Sequence, residues 1–448
     1  MAANITSEGL FGRALRGGAL TAGAYGVAQA ARLAANLILA RLLFPEAFGV
    51  MALVTVFLVG LAMFSDVGIG PAISQNARGD DPAFLNTAWT INVVRGGLLW
   101  GLSCAVAWPL AQFYAAPELA QLLPVAGLSL LIAGFNPTRI DTANRHLALG
   151  RVVALDLVAQ IVGIVAMVGL AWLLQSVWAL VIGAVTGAVA KLALTWALLP
   201  GPPNRWQWEP AAAWALIHFG KWIFLSTACG FLLAQGDKAI FGAYLSLQEL
   251  GLYNIGYFLG SFPILMGGAV TGRVLLPLYR EHPPAASHIN AQKMARLRYG
   301  ISAGLLGLLA LLAFGGVALV QLMYDDRYTA AGAVVVAVAL VQMVVVAGMT
   351  YDQSALAAGN ARGYFAVIAA KAALQTVALI GGMHWSGLGG ALLAQGVALV
   401  VSHALIVGLA RRHGAWDGVH DLVMGACVAV VMLTAIWWHG GVLAALFV

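Results

Sequence analysis

GALTAGAYGVAQAARLAANLILARLLFPEAFGVMALVTVFLVGLAMFSDVGIGPAISQ (Gly18–Gln75) holds two apolar runs, and Arg32 stands near the middle of the first. On a helix Tyr25, Gln29, Arg32 and Asn36, spaced by four, three and four residues, share one face. The rest of that run is largely Ala, Leu, Ile, Val and Gly. An ionised side chain at the centre of a bilayer costs at least ~2.5 kcal/mol on insertion scales. The run therefore reads as a spanning helix with its back to lipid and a polar stripe turned to protein or water.

The whole chain has the same character. Of 448 residues, 62% are hydrophobic and 9% charged, where a soluble domain carries about 25% charged residues. This predicts an all-α polytopic membrane protein with no segment long and polar enough to form a separate soluble domain. A β-barrel is excluded, because its strands are short and alternating, whereas here runs of about twenty apolar residues recur. The net charge of +6 does not indicate nucleic-acid binding, since the charges are few and their placement carries the information. Cys104, Cys229 and Cys427 lie far apart in apolar runs without metal-ligand spacing, and read as small buried apolar residues. The polar start MAANITSEGLFGRALRGG leads into a long span, so no cleavable signal peptide is expected.

Hydropathy predicts thirteen spans, near 17–41, 48–68, 85–110, 120–137, 152–174, 177–199, 218–243, 251–272, 299–322, 329–351, 363–383, 387–410 and 420–437. The tail VLAALFV is too short to span; it prolongs the last helix or is part of a fourteenth. With the N-terminus inside, the inner segments carry fifteen Lys and Arg, from Arg13 to Arg412, and the outer loops only Arg41 and Arg327. That asymmetry predicts a cytoplasmic N-terminus. The two longest loops are on the inner side. LPGPPNRWQWEPAA, around 199–213, suits a linker lying at the interface, and YREHPPAASHINAQKMARLR, around 279–298, should end in a basic amphipathic helix. The expected organisation is a six-helix lobe over 1–199, a cytoplasmic linker over 200–217, a second six-helix lobe over 218–410 and additional helix over 411–448.

An internal repeat supports two lobes. LLFPEAFGVM (Leu42–Met51) and YLSLQELGLY (Tyr244–Tyr253) both follow the first helix of a half, and an offset of 202 residues aligns Leu43 with Leu245, Gly49 with Gly251 and Val50 with Leu252. Such a repeat implies halves related about an axis along the membrane normal, with binding at the interface between them.

Six cations fall inside predicted spans: Arg32, Arg95, Lys191, Lys221, Lys238 and Lys371. At the repeat offset Asn36 corresponds to Lys238, so each half carries a cation at similar depth on its first helix. Few acids lie at comparable depth: Asp237, Asp156, and Asp66 and Asp352 near span ends. The excess suits an anion, most simply a phosphate or a carboxylated sugar. The structural reading stands beside it: long side chains snorkel to headgroups, and Asp237 and Lys238 are neutralised by neighbours or lie at the outer interface. Arg139, Arg145, Arg273 and Arg362, in turns on the inner side, would form a basic entrance, although positive-inside topology alone would also place them there. No Walker loop, zinc motif or Ser-His-acid arrangement occurs. The expectation is therefore no enzyme, no cofactor and no metal.

LARLLFPEAFGVMALV (Leu39–Val54), FSDVGIGPAISQ (Phe64–Gln75), FGKWIFLS…LAQGDKAIFGAYLSLQELGLYNIGYFLGSFP (Phe219–Pro263) and RVLLPLYRE (Arg273–Glu281) resemble, in order, a Wzx-type polysaccharide exporter of the multidrug/oligosaccharidyl-lipid/polysaccharide exporter superfamily. The resemblance implies an inner-membrane flippase of bacteria: two six-helix lobes in a V around a central cationic cavity, moving undecaprenyl-pyrophosphate-linked oligosaccharide to the periplasmic leaflet by alternating access. It implies a polysaccharide polymerase and a chain-length regulator as partners. The residues here that match its lumen-lining cations by location are Arg32 and Lys238, then Arg95, Lys221 and Lys371, with Gln29 and Asn36 beside Arg32 and Asp237 as a candidate for ion coupling. The rival expectations are a peptidoglycan-precursor flippase, a cation-coupled drug exporter and, from a different class, a membrane polysaccharide polymerase or ligase.

Overall fold

The computed structural model describes residues 10–66, 68–146 and 148–447, with side chains described throughout except at 10–22, 25, 149, 219–226 and 273. The chain divides into two compact units, Met1–Ala228 and Cys229–Val448. Every regular element among the described residues is helical. The first unit holds α1 (Leu10–Leu42), α2 (Pro45–Phe64), α3 (Ile69–Gln75), α4 (Pro82–Phe113), α5 (Leu119–Gly134), α6 (Arg139–Arg145), α7 (Leu149–Leu174), α8 (Trp178–Leu198) and the start of α9 (Pro210–Phe241). The second continues with α10 (Leu247–Glu281), α11 (His288–Met323), α12 (Ala331–Met343), α13 (Val345–Gly348), α14 (Asp352–Ala357), α15 (Ala361–Arg412) and α16 (Gly418–Ala444).

Among the described residues, eight helices are long and apolar enough to cross a membrane. Two bent pairs, α5 with α6 (59°) and α12 with the segment Val345–Ala357 (42°), raise the number to ten. Helix α15 needs a separate argument. Its 52 residues would extend ~78 Å as one rod, more than twice the ~30 Å hydrocarbon thickness. Ser386 and Gly387 leave helical geometry, Gly387 at φ 58°, a left-handed conformation that suits glycine. A Cβ on Gly382 would lie 2.5 Å from Ala391 Cα, although nine residues of continuous helix would separate them by ~13 Å. The chain has therefore reversed, and α15 is a hairpin of two antiparallel arms. Helices α1 and α9, of 33 and 32 residues, lie at two further positions where hydropathy expects spans.

The internal repeat holds in the helix register. Pro45 opens α2 and Leu247 opens α10, at the offset seen in the sequence. Proline suits a first helical position because the amide it lacks would be unpaired there. Ser246 and Glu249 form a capping box at the other start. Close approach of α7 and α8 depends on glycine: a Cβ on Gly163 would lie 3.1 Å from Gly187 Cα. The basic segment expected before the ninth span is the first turns of α11, with Lys293 and Arg296 exposed and Met294 buried. The tail prolongs the last helix: α16 bends at His439 and ends in a turn whose Phe447 ring sits against Gly389.

Three local expectations are corrected. The second span ends at Phe64 rather than residue 68, because Gly68 turns left-handed (φ 64°) and starts the separate α3. Helix α9 begins at Pro210 rather than near residue 218. Cys104 and Cys427 are exposed and Cys229 half-buried, all with free thiols; a spanning helix is apolar on its lipid face as well as on its packed face, and hydropathy does not separate the two.

The linker is bound to the first unit over much of its length. Asn204 exchanges hydrogen bonds with Thr138, the Arg205 amide donates to Asn86, and the Gln207 and Glu209 amides donate to Thr90 and Thr87 on α4. Trp206 meets Trp89 edge to face, 5.4 Å between ring centres.

Candidate functional site

On α1 the predicted polar stripe divides. Gln29 is buried, Asn36 is half-buried and Arg32 is exposed. At about 100° per residue, Gln29 and Asn36 nearly eclipse, while Arg32 is offset by roughly 60°. Helix α7 packs along α1, and Gln160 Nε2 donates to the Ala28 carbonyl at 2.9 Å. Arg32 makes no hydrogen bond or ion pair among the described residues. It lies about 15 Å along the axis from the end of α1. Tyr25 lies outside the described side chains.

Arg95, Lys191 and Lys238 are held by neighbouring groups. Arg95, half-buried on α4, donates from Nε to Ser65 Oγ (3.0 Å) and from Nη2 to the Ala62 carbonyl (2.8 Å). Ala62 belongs to the last turn of α2 and Ser65 caps it, so the guanidinium sits where the helix dipole is negative and carbonyls lack partners. Lys191 on α8 is 2.8 Å from Asp156 on α7. Lys371, half-buried on the first arm of α15, lines one small cavity with Asp352 and Tyr364. Lys221 lies outside the described side chains.

In the second unit Lys238 and Asp237 are both buried, with Nζ to Oδ2 at 3.4 Å. Asp237 Oδ2 also accepts from the Tyr253 hydroxyl at 2.7 Å, and the Lys238 ammonium lies 4.1 Å from the centre of the Tyr257 ring. The charge pair is thus closed by two tyrosines of α10. Charge at membrane depth is more nearly balanced than a count of residues implies. Lys191 and Lys238 have carboxylate partners, Arg95 has a helix end, and Arg32 stands apart.

The four arginines expected at an entrance differ as well. Arg139 donates to the carbonyls of Leu199 (2.8 Å) and Pro202 (3.0 Å) and stacks near Trp196, clamping the start of the linker. Arg145 donates to the carbonyls of Ile73 and Asn76 at the end of α3 and to Asp80. These two close local structure. Arg362 is exposed at the start of α15, and Arg273 lies outside the described side chains.

Two polar groups escaped the sequence reading. Arg78 donates to both Asp81 and Glu209, pinning the end of the linker beside α4. Its hydrogen bonds hold the Glu209 and Asp81 carboxyls below their usual range and raise the guanidinium in turn. Hydrogen bonding from His146 likewise lowers Asp80. The second group is buried in the C-terminal unit. Arg298 is 3% exposed; its Nη2 donates to the Tyr279 hydroxyl and the Ala415 carbonyl, and its guanidinium lies over the Tyr351 ring at 4.7 Å. Tyr351 connects onward to His420 and Asp421. The sequence signal was present but weak: His403 and the pair His420–Asp421 flank the turn RRHGAWD.

A family model described as "Polysaccharide biosynthesis protein" matches residues 38–333. The chain is 24% identical over 244 residues to the succinoglycan biosynthesis transport protein ExoT of Rhizobium meliloti, covering 54% of this chain and 49% of that protein. It is 23% identical over 223 residues to the teichuronic acid biosynthesis protein TuaB of Bacillus subtilis, covering 48% and 45%. The chain thus spans about half the length of the curated relatives it matches. Among solved structures, lipid II flippase MurJ in an inward closed conformation superimposes with a TM-score of 0.68 at 11% identity, over 94% of this chain and 99% of that one. An inward-facing multidrug resistance MATE family transporter gives 0.59 at 14% identity, over 90% and 95%. At these identities the likeness is one of fold.

Proposed function

The chain belongs to the polysaccharide biosynthesis protein family, and from that premise we propose that it is a flippase for lipid-linked oligosaccharide. It carries undecaprenyl-pyrophosphate-linked repeat units from the cytoplasmic to the periplasmic leaflet of a bacterial inner membrane by alternating access, for exopolysaccharide, capsule or O-antigen. Its N-terminus is cytoplasmic, and residues 1–199 and 218–410 form lobes joined by 200–217, with 411–448 added. A polymerase and a chain-length regulator take the product onward.

The observation that carries this reading is Arg32. It is exposed within a spanning helix and has no internal partner among the described residues. An arginine at that depth is tolerated where it meets water or an anion rather than acyl chains. A guanidinium grips a phosphate through paired hydrogen bonds. The drug-exporter reading has less support, because Asp156 and Asp237 are engaged by lysines and are not left for a cationic substrate.

The test is export of surface glycan in a strain relying on this protein. Arg32→Ala should reduce polymer at least ~10-fold, the loss of one charge-assisted contact, with normal protein level, and Arg32→Lys should restore part of it. Full export by Arg32→Ala at equal protein level rejects the reading.

A further inference from the structure

His403 on the second arm of α15 and His420 and Asp421 in the first turn of α16 meet where these two helices join. Asp421 is the centre. Its Oδ1 accepts from the Tyr351 hydroxyl at 2.8 Å and lies 3.5 Å from His420 Nδ1. Its Oδ2 accepts from Trp416 Nε1 at 2.8 Å and lies 3.3 Å from His403 Nε2. His420 is fully buried, and its Nε2 is 3.0 Å from Ser302 Oγ on α11.

Proton accounting shows an open place. Tyr351 has one hydroxyl proton, and its shortest contact, to Asp421, takes it. His420 Nδ1 then faces two oxygens, Tyr351 Oη at 3.2 Å and Asp421 Oδ1, and must carry a proton itself. The opposite nitrogen, Nε2, faces a hydroxyl that can accept as readily as donate. The ring therefore holds either one proton or two with the same heavy-atom positions. A second proton on His420 would be matched by nearby acids. From the turn before α16 comes Asp417, from α16 Asp421, and from α14 Asp352, which lies within electrostatic reach of His403 and of Lys371 on α15. The cations are Arg298 on α11, beneath Tyr351, and Arg411, stacked on Trp416 at 3.8 Å. Tyr279 from α10 and Tyr299 from α11 complete the surround.

We propose that His403, Asp421 and His420 form a proton-binding site, and that the bound proton fastens α16 to α11 and α15. The site needs no assumption about what the protein carries. His403 and Asp421 also line an apolar groove of about 650 Å³ between α12, the second arm of α15 and α16.

The experiment is thermal unfolding of the purified full chain in detergent from pH 5.5 to 8, for wild type, His403→Gln, His420→Gln and Asp421→Asn. A proton that fastens the helices adds stability while it is bound, and that stability is lost when the proton leaves at higher pH. Wild type should therefore exceed His420→Gln by ~3 °C or more at pH 5.5, and the difference should fall by at least half at pH 8. Asp421→Asn should abolish the pH dependence. Should Asp421→Asn fail to fold, ring-nitrogen NMR of wild type, assigned with the two His→Gln variants, gives the same answer: one of the two rings should pass from two protons to one over that interval. A difference independent of pH, or two rings that each keep a single proton at pH 5.5, overturns the proposal. Because neither readout involves export, failure here leaves the flippase reading untouched.

Discussion

The Lys238 ammonium lies 4.1 Å from the centre of the Tyr257 ring. One α-helix supplies both charges of the pair it completes, and the neighbouring helix supplies the tyrosines that enclose them. Removing one member of a buried pair leaves the other unpaired and destabilises by about 3–5 kcal/mol, whereas replacing both by apolar groups is often neutral. Lys238→Met should thus lower the unfolding temperature in detergent, and Lys238→Met with Asp237→Leu should recover most of the loss. Retention of wild-type stability together with loss of export in Lys238→Met alone would instead place Lys238 in the transport path.

Arg95 presents a different case, since its partners are the last turn and cap of α2. Arg95→Gln keeps a donor but removes the charge that complements the helix dipole, and should cost about 1–2 kcal/mol. Arg95→Ala should cost more. Equilibrium unfolding of the two variants in mild detergent compares them, and equal effects would mean that the charge carries the interaction and the remaining donor adds nothing.

The linker clamp carries a pH dependence. Arg78 holds the Glu209 carboxyl below its usual range. A depressed carboxylate contributes stability that is present above its unfolded pKa and lost as pH falls through its folded one. Protease cleavage between Pro202 and Glu209 should accordingly be slow near pH 7 and accelerate below about pH 4, under the ordinary glutamate range. Glu209→Gln should be cleaved faster at neutral pH and show little further change on acidification. Because the pair is partly open to solvent, high salt should narrow the difference.

The α15 hairpin depends on contact between its arms at Gly382, where a Cβ would meet Ala391 Cα and Gly390 O at 2.5 Å. Backbone cannot move aside as a flexible side chain can. Gly382→Val should destabilise by about 1–3 kcal/mol and lower the amount of protein in the membrane. Gly381→Ala, where a Cβ meets nothing within 4 Å, is the matched control and should leave that amount unchanged.

Much of the fold was legible because hydropathy and repeat register are local properties. The apolar helices, the basic start of α11 and the repeat offset of 202 residues needed only the order of residues. The pairing of charges was less accessible. Lys191 and Asp156 are 35 positions apart and meet because small residues let α7 and α8 approach. Arg95 reads as a free cation until α2 is seen to stop at Phe64 and offer its carbonyls. Arg298 was counted among the loop cations that set orientation, yet it is buried, because the side of the membrane on which a residue lies says nothing about its depth within a helix bundle. His403 and His420 look scattered in the sequence, and only the packing of α15 against α16 brings them to one carboxylate.

The two-residue reversal at Ser386–Gly387 decides where the two ends of α15 lie. As one rod, α15 would hold Ala361 and Arg412 ~78 Å apart. As a hairpin it brings them back together, and Asn360 Nδ2 lies 3.1 Å from His413 Nε2. The chain after Arg412 therefore resumes on the side that it left at Ala361, and a single turn near the middle of the segment sets the starting side of α16.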